Sequence, residues 1–315
     1  MKQPRDLATT LPSPTEMTNC HTCPALWYFK DRLWIKPRKE VLAYQGGRLM
    51  DQVLDVWLKC KQTNTPRTTQ DALDQWDNKV EELRPQFDDD ELLPLMASCR
   101  DALVVWLTLY GNVRENILLI QPKYHTPSTG KIDYVVEESG MAVIRERKVV
   151  SGFEAIDDTI AKYQLGWQPL CYAALFRHNY TPPMEVKYVE MEFLVRSLPG
   201  KGRYKPTPAA VRREPIYVPE WKERLWHASA TATNEYMKWI ENSWLTSSDE
   251  CDTVPMEAIP RHTQNCIRKM VTKTGIREFA CDFHKACLAN IDPRRLDDFV
   301  CELEVERDGN SNAVS

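Results

Sequence analysis

The sequence predicts an α/β fold with a helical N-terminal part, and three observations lead to it. Helical periodicity dominates as far as Leu109. Short apolar, β-rich runs then flank a Glu138-Ser139-Gly140 turn. Further along, a helical stretch, a strand-like run and a long aromatic-bearing helix follow in that order. The composition fits a folded chain. Of 315 residues, 43% are hydrophobic and 10% aromatic, which excludes wholesale disorder. The net charge, 41 − 45 = −4, excludes a protein that coats nucleic acid through global positive charge, but leaves room for a local basic groove.

Taken in order, residues 1–19 are polar, carry Pro4, Pro12 and Pro14, and are expected to be a flexible N-terminus without a secretory signal. A single domain is expected over 20–300, followed by a 301–315 tail. Within it, 20–112 is the helical part, 113–245 the α/β core and 246–300 a cysteine-bearing segment. Gly47 to Cys60 reads as a helix, with Leu49, Val53, Leu54, Val56, Trp57 and Leu58 forming a broad apolar face. Gln62 to Thr69 is a polar linker. Asp71 to Arg84 and Asp90 to Leu109 are two more helices, and the Asp88-Asp89-Asp90 run suits the N-terminus of the second. Ile117 to Ile120, Ile132 to Val136, Met141 to Val150 and Val186 to Val195 read as strands. Asp157 to Phe176 and Trp221 to Trp244 read as helices. The longest strongly apolar stretch, Ala102 to Tyr110, is too short to span a bilayer, so no membrane association is expected. The expected setting is cytoplasmic, where thiols stay reduced.

The chemistry concentrates between Gly130 and Lys148. Asp133 lies on the first strand of the inferred hairpin, while Glu146 and Lys148, two apart on the second, share a sheet face. Arg145 and Arg147 then point to the other face. Two carboxylates from adjacent strands can bind a divalent cation through oxygen. A lysine beside them can stabilise charge developing on a phosphate. Those parts suit metal-assisted phosphodiester hydrolysis, although on spacing alone a solvated surface hairpin explains them as well. On the following helix, Gln168 and Tyr172 are four apart and share a face.

A Gly-x-Ile-Asp strand, a Glu-x-Lys strand and a helix bearing Gln-x-x-x-Tyr together resemble the RecB-like branch of the PD-(D/E)xK nucleases. The resemblance implies a restriction-endonuclease-like core, a mixed central sheet flanked by helices. It implies Asp133 and Glu146 as metal ligands, Lys148 as the catalytic lysine, and Gln168 and Tyr172 as a helix pair positioning DNA and the active site. Tyr163 with Gln164 is a less well-placed alternative to that pair. The family's upstream Gly-x-x-x-His would fall on Gly47 to Asp51, so Asp51 stands where the family has a histidine ligand. An aspartate is a harder oxygen donor, suited to Mg²⁺ or Mn²⁺, or else a solvated helix charge. The implied activity is a deoxyribonuclease, most simply an exonuclease on single strands or DNA ends. Its settings would be phage recombination or CRISPR-related processing, with recombination or CRISPR adaptation proteins as partners. The rival is a nuclease-derived protein that holds DNA or a protein partner without cutting.

Ten cysteines are too dilute for a disulfide scaffold. Cys23-Pro near one end and Cys281-x5-Cys287 near the other resemble the iron–sulfur-bearing relatives in the CRISPR-associated exonuclease family and phages. Those use a Cys-x2-Cys-x5-Cys pattern, whose first position here is Glu278. With Cys266 substituting, the resemblance implies Cys23, Cys266, Cys281 and Cys287 around a 4Fe–4S cluster. Two alternatives stay open: Zn²⁺ on Cys20, Cys23, Cys281 and Cys287, with His284 or His262 as spare ligands, or buried free thiols. Cys60, Cys99 and Cys171 are most simply core. Three stretches concentrate basic residues: Lys30 to Arg48, Arg196 to Arg213 and Arg261 to Arg277. Arg196 to Arg213 reads as a mobile loop able to contact phosphates and to stack Tyr204 on a base. Together the three could line a DNA channel.

Overall fold

The computed structural model describes residues 6–32, 35–37, 42–151, 154–199, 206–244, 267–272, 275–280 and 299–301. In chain order, helices α1 (Pro14–Thr22) and α2 (Pro24–Trp27) lead to strand β1 (Ile35–Pro37). Helices α3 (Leu42–Gln62), α4 (Thr69–Leu83) and α5 (Asp89–Tyr110) follow. Next come strands β2 (Asn116–Ile120), β3 (Lys123–Tyr124), β4 (Gly130–Lys131), β5 (Tyr134–Glu138) and β6 (Met141–Val150). Helices α6 (Glu154–Leu165) and α7 (Gln168–Asn179) precede strands β7 (Val186–Val195) and β8 (Ala210–Ile216). Helix α8 (Glu220–Trp244) is followed by β9 (Ile267–Thr272), β10 (Gly275–Ala280) and β11 (Phe299–Cys301). The chain divides into two compact units, one of residues 1–40 with 227–315, the other Val41–Trp226.

The second unit is built on a five-stranded sheet of order β2-β5-β6-β7-β8. Its neighbours are antiparallel except β6 and β7, whose parallel crossover carries α6 and α7. This is the mixed sheet between helices that the sequence predicts. The β5–β6 hairpin turns through Ser139 (φ 55°) and Gly140 (φ 79°). Two consecutive positive φ angles define the two-residue turn whose twist matches that of the flanking strands.

Helices α3, α4 and α5 cover one face. Met50, Val53, Leu54 and Leu58 of α3, Trp76 of α4 and Leu103 and Trp106 of α5 pack with Val136, Val143 and Leu194 of the sheet. The 3–4 spacing of the α3 positions produces this single buried stripe. Both α4 and α5 have specified starts. Thr68 and Asp71 form a reciprocal capping box, and the Asp88 carboxylate accepts the Asp90 N–H. Gly46 lets α3 approach α5 closely, since a Cβ there would lie 2.6 Å from Cys99 Sγ. By length and composition, α5 is the one helix among the described residues that could cross a membrane. Its buried face, from Leu92 to Leu107, is instead spent on this core.

The other sheet face receives α6 and α7. Ile156 packs with Met191, Phe193, Val195 and Ile216, and α7 is buried from Pro169 to Phe176. Three sequence expectations need correction here. The helix expected over Asp157 to Phe176 is two helices. Pro169 has no N–H to return to Leu165, so the chain breaks at Gly166-Trp167 and restarts with proline in the first turn. The mobile loop expected over Arg196 to Arg213 ends in strand β8, which pairs with β7 from Ala210 onward. Finally, the expected flexible N-terminus contains α1, held by a Ser13–Glu16 capping box.

In the first unit, Leu7, Trp27, Phe29 and Ile35 form a buried cluster with Met237 and Ile240. The Asn234 side chain donates to the Leu7 carbonyl at 2.7 Å, and Met17 is fully buried. Strand β1 pairs with β11, and β9 with β10.

Candidate active site

Strand alternation divides β6 chemically. Arg145 and Arg147 face α3 and the acids around it, whereas Glu146 and Lys148 face α7. Asp133 immediately precedes β5. Tyr134 pairs with Arg145, so Asp133 comes alongside Glu146, on the face opposite Tyr134. The Asp133 carboxylate accepts the Arg147 backbone N–H at 2.8 Å.

Glu146 is 4% exposed. Its Oε1 accepts Gln168 Nε2 at 2.8 Å and, at very short range, Lys148 Nζ. Its Oε2 is buried and has no hydrogen-bond partner. Burial and then the Asp133 charge push the Glu146 carboxyl up to about 8, against the pull of Lys148. Burial works against the Lys148 ammonium, but Glu146 and Tyr163 more than offset it and raise its pKa. The Tyr163 ring lies 5.6 Å from Lys148 Nζ. Gln168 also donates to the Tyr172 hydroxyl at 2.6 Å, so the expected helix pair is a connected unit. Burial, with Glu146 nearby, holds the Tyr172 phenol well above its usual range. Gly130, the motif glycine, admits α7 over β4, since a Cβ would lie 2.5 Å from Leu175 Cδ1.

Asp51 reaches the same neighbourhood from α3. Burial pushes its carboxyl up to about 6, with Arg147 opposing and Asp133 and Asp55 adding to the rise. Its Oδ1 lies 3.4 Å from Arg147 Nε. Among the described residues no three His, Cys, Asp or Glu side chains converge closely enough to hold a metal by themselves. Asp51, Asp133 and Glu146 are therefore electrostatic neighbours without forming a closed cage, and Asp51 is drawn to Arg147. The donor set nevertheless suits a hard divalent cation. It offers carboxylate oxygens, one of them buried with no donor to satisfy it.

Sequence reasoning missed Asp55 and Gln121, and placed Arg147 on its sheet face without assigning it a role. Asp55 accepts Arg147 Nη2 at 2.5 Å and, at very short range, Gln121 Nε2. Asp51-x-x-x-Asp55 was a readable signal, because positions four apart share a helix face. Gln121 had none.

Three described arginines of the basic stretches are paired with acids. Arg213 projects into a buried layer, where Glu192 lies 2.7 Å and Glu115 3.2 Å away. Arg212 pairs with Glu214 and Asp157, and Arg32 with Glu241. Residues 200–205, with Lys201, Arg203, Tyr204 and Lys205, lie outside the described residues, as do Arg261, Lys273 and the side chains of Arg268, Lys269 and Arg277. Cys266, Cys281 and Cys287 also lie outside them. Cys20 and Cys23 are buried, and they, Cys60, Cys99 and Cys171 are free thiols. Burial, with Asp31, Cys23 and Glu16 adding, pushes the Cys20 thiol up to about 12. Cys99 and Cys171 are core, as expected, while Cys60 is half-buried.

The sequence profile of the PD-(D/E)XK nuclease superfamily matches residues 12–266, and the chain belongs to that superfamily. The mixed sheet flanked by helices agrees with membership. No curated protein matches the chain significantly.

Proposed function

We propose that the protein is a divalent-metal-dependent deoxyribonuclease acting on single-stranded DNA or DNA ends. The observation that carries this is Glu146: a buried carboxylate flanked by Asp133, Lys148 and Gln168, with one oxygen unpartnered. Asp133 and Glu146, with Asp51 as a third candidate, would hold Mg²⁺ or Mn²⁺, which supplies Lewis-acid charge at the scissile phosphate. Lys148 keeps its ammonium charged and sits where negative charge develops. Gln168 fixes the Glu146 carboxylate from α7, and Tyr172 fixes Gln168 in turn. Linear and circular single-stranded DNA of equal sequence, each incubated with Mg²⁺ or Mn²⁺, provide the test. Cutting confined to the linear form supports action at ends. Equal cutting of both makes the protein an endonuclease, and no cutting of either favours the DNA- or partner-binding alternative.

The second part of the proposal is a 4Fe–4S cluster on Cys23, Cys266, Cys281 and Cys287, in a protein working in the reducing interior of a bacterium or infected host cell. Its role would lie in recombination or CRISPR-related processing, with proteins of those pathways as partners. Of the four proposed ligands, Cys23 lies among the described residues, as a buried free thiol. Anaerobically purified protein should be brown and contain iron. A colourless preparation with stoichiometric zinc and no iron overturns the cluster.

A further inference from the structure

Four residues close a hydrogen-bonded ring behind Asp133. The Gln121 backbone N–H donates to the Asp133 carbonyl at 2.8 Å. The Arg147 backbone N–H donates to Asp133 Oδ2 at 2.8 Å. Arg147 Nη2 donates to Asp55 Oδ1 at 2.5 Å. Gln121 Nε2 completes the circuit with a very short bond to Asp55 Oδ2. The four members come from α3, the β2–β3 connection, the residue before β5, and β6. No two are neighbours in sequence, so the ring ties four separate segments together, and its bond to the Asp133 carboxylate is the Arg147 N–H.

Gln121 adopts φ 50°, in the left-handed region. The other non-glycine residues with positive φ among those described are Asn64, just beyond α3, and Ser139, in the β-hairpin turn. Glutamine has no such turn preference, and strained backbone concentrates where surrounding contacts over-determine it. Here both polar ends of Gln121 are used: its backbone N–H on Asp133 and its side-chain amide on Asp55. Asp55 is 7% exposed, and its two carboxylate oxygens serve Arg147 and Gln121, so it is engaged as a bridge rather than directed at a ligand.

We propose that Gln121 and Asp55 are positioning residues that, through Arg147, fix the direction of the Asp133 carboxylate. The proposal rests on the nuclease reading of this site. Outer contacts of this kind orient first ligands, and removing one typically weakens metal affinity or activity by about tenfold to a hundredfold. Arg147 has a double part. Its backbone holds Asp133, and its guanidinium links Asp55 to Asp51, 3.4 Å away. An account in which Gln121 merely fastens strand to helix leads to a different outcome, loss of stability without a change in cation affinity.

Gln121→Asn is the informative variant. Asparagine tolerates the left-handed conformation and keeps the backbone N–H, but its side chain is too short to reach Asp55. Mn²⁺ binding would be measured by titration calorimetry and by electron paramagnetic resonance of free Mn²⁺, with thermal melts run in parallel. The expected result is Mn²⁺ affinity weaker by about tenfold or more, with cleavage restored by raised Mn²⁺ and the cation-free Tm near that of wild type. Asp55→Asn should weaken affinity in the same direction. If either variant proves unstable, binding is measured at a temperature where circular dichroism shows it folded. Wild-type affinity in folded Gln121→Asn and folded Asp55→Asn overturns the proposal. A wild type that neither binds Mn²⁺ nor cuts DNA overturns the nuclease reading, and the positioning role with it.

Discussion

Gln168 Nε2 donates to Glu146 Oε1 at 2.8 Å, joining the first residue of α7 to the middle of β6 and leaving Glu146 Oε2 as a buried oxygen without a donor. The same amide nitrogen donates to the Tyr172 hydroxyl at 2.6 Å, so Tyr172, four positions on, holds the residue that holds the carboxylate. Replacing Gln168 with leucine keeps the side chain's bulk and removes its donor. Cleavage should fall by about tenfold to a hundredfold, the usual effect of losing an outer contact to a metal ligand. Steady-state kinetics at several Mn²⁺ concentrations checks this. Activity equal to wild type at every concentration would show that α7 does not orient Glu146.

A pH dependence follows from Glu146. Its carboxyl is raised from 4.5 to about 8 by burial and Asp133. The cation-free native state therefore holds this proton more tightly than the unfolded chain does. Between about 4.5 and about 8 the unfolded chain binds fewer protons, so stability falls as pH rises through that window. Asp51, raised from 3.8 to about 6, adds a contribution of the same sign at lower pH. Denaturant melts without divalent metal should show this fall, and Glu146→Gln, which cannot ionise, should flatten it. A cation must displace these protons, so Mn²⁺ binding should strengthen with pH over the same range and release protons. Calorimetry in buffers of different ionisation enthalpy measures that release.

Arg213 separates two readings of one basic stretch. Its guanidinium meets Glu192, Glu115 and Glu190 and stacks 3.6 Å from the centre of the Tyr110 ring. Arg145 meets Glu115, Glu190 and Glu138 in the same layer. Removing one partner from such a buried network leaves uncompensated charge and costs about 3–5 kcal/mol. Arg213→Met should therefore lower stability by an amount of that order in urea melts. DNA affinity of the folded fraction should stay unchanged. Weaker DNA binding with unaltered stability would return Arg213 to the DNA surface.

The sequence made much of this site legible because the relevant periods are short. Alternation along Glu146-Arg147-Lys148 assigned two side chains to one sheet face and Arg147 to the other. The four-residue spacing of Gln168 and Tyr172 placed both on one helix face, and the Glu138-Ser139-Gly140 turn located the hairpin. What stayed hidden depends on contacts distant in sequence. Nothing near Gln121 announces that it will bridge Asp55 and Asp133. Pro169 was readable as a helix breaker, but the surrounding apolar periodicity masked it. The charge of Arg212 and Arg213 suggested a solvent-facing loop, whereas β8 is recruited as an edge strand beside acids on β7. Charge alone does not tell a phosphate contact from a buried ion pair.

The central claim is that Asp133, Glu146 and Lys148 cut phosphodiester bonds with a divalent cation. The most direct measurement is cleavage of end-labelled single-stranded DNA in Mn²⁺ by wild type and Glu146→Gln, purified side by side, with a chelator control. Wild type should cut, the chelator should stop it, and Glu146→Gln should lose activity by orders of magnitude while remaining folded. Equal cleavage by the two proteins, or no cleavage by wild type, would contradict the claim.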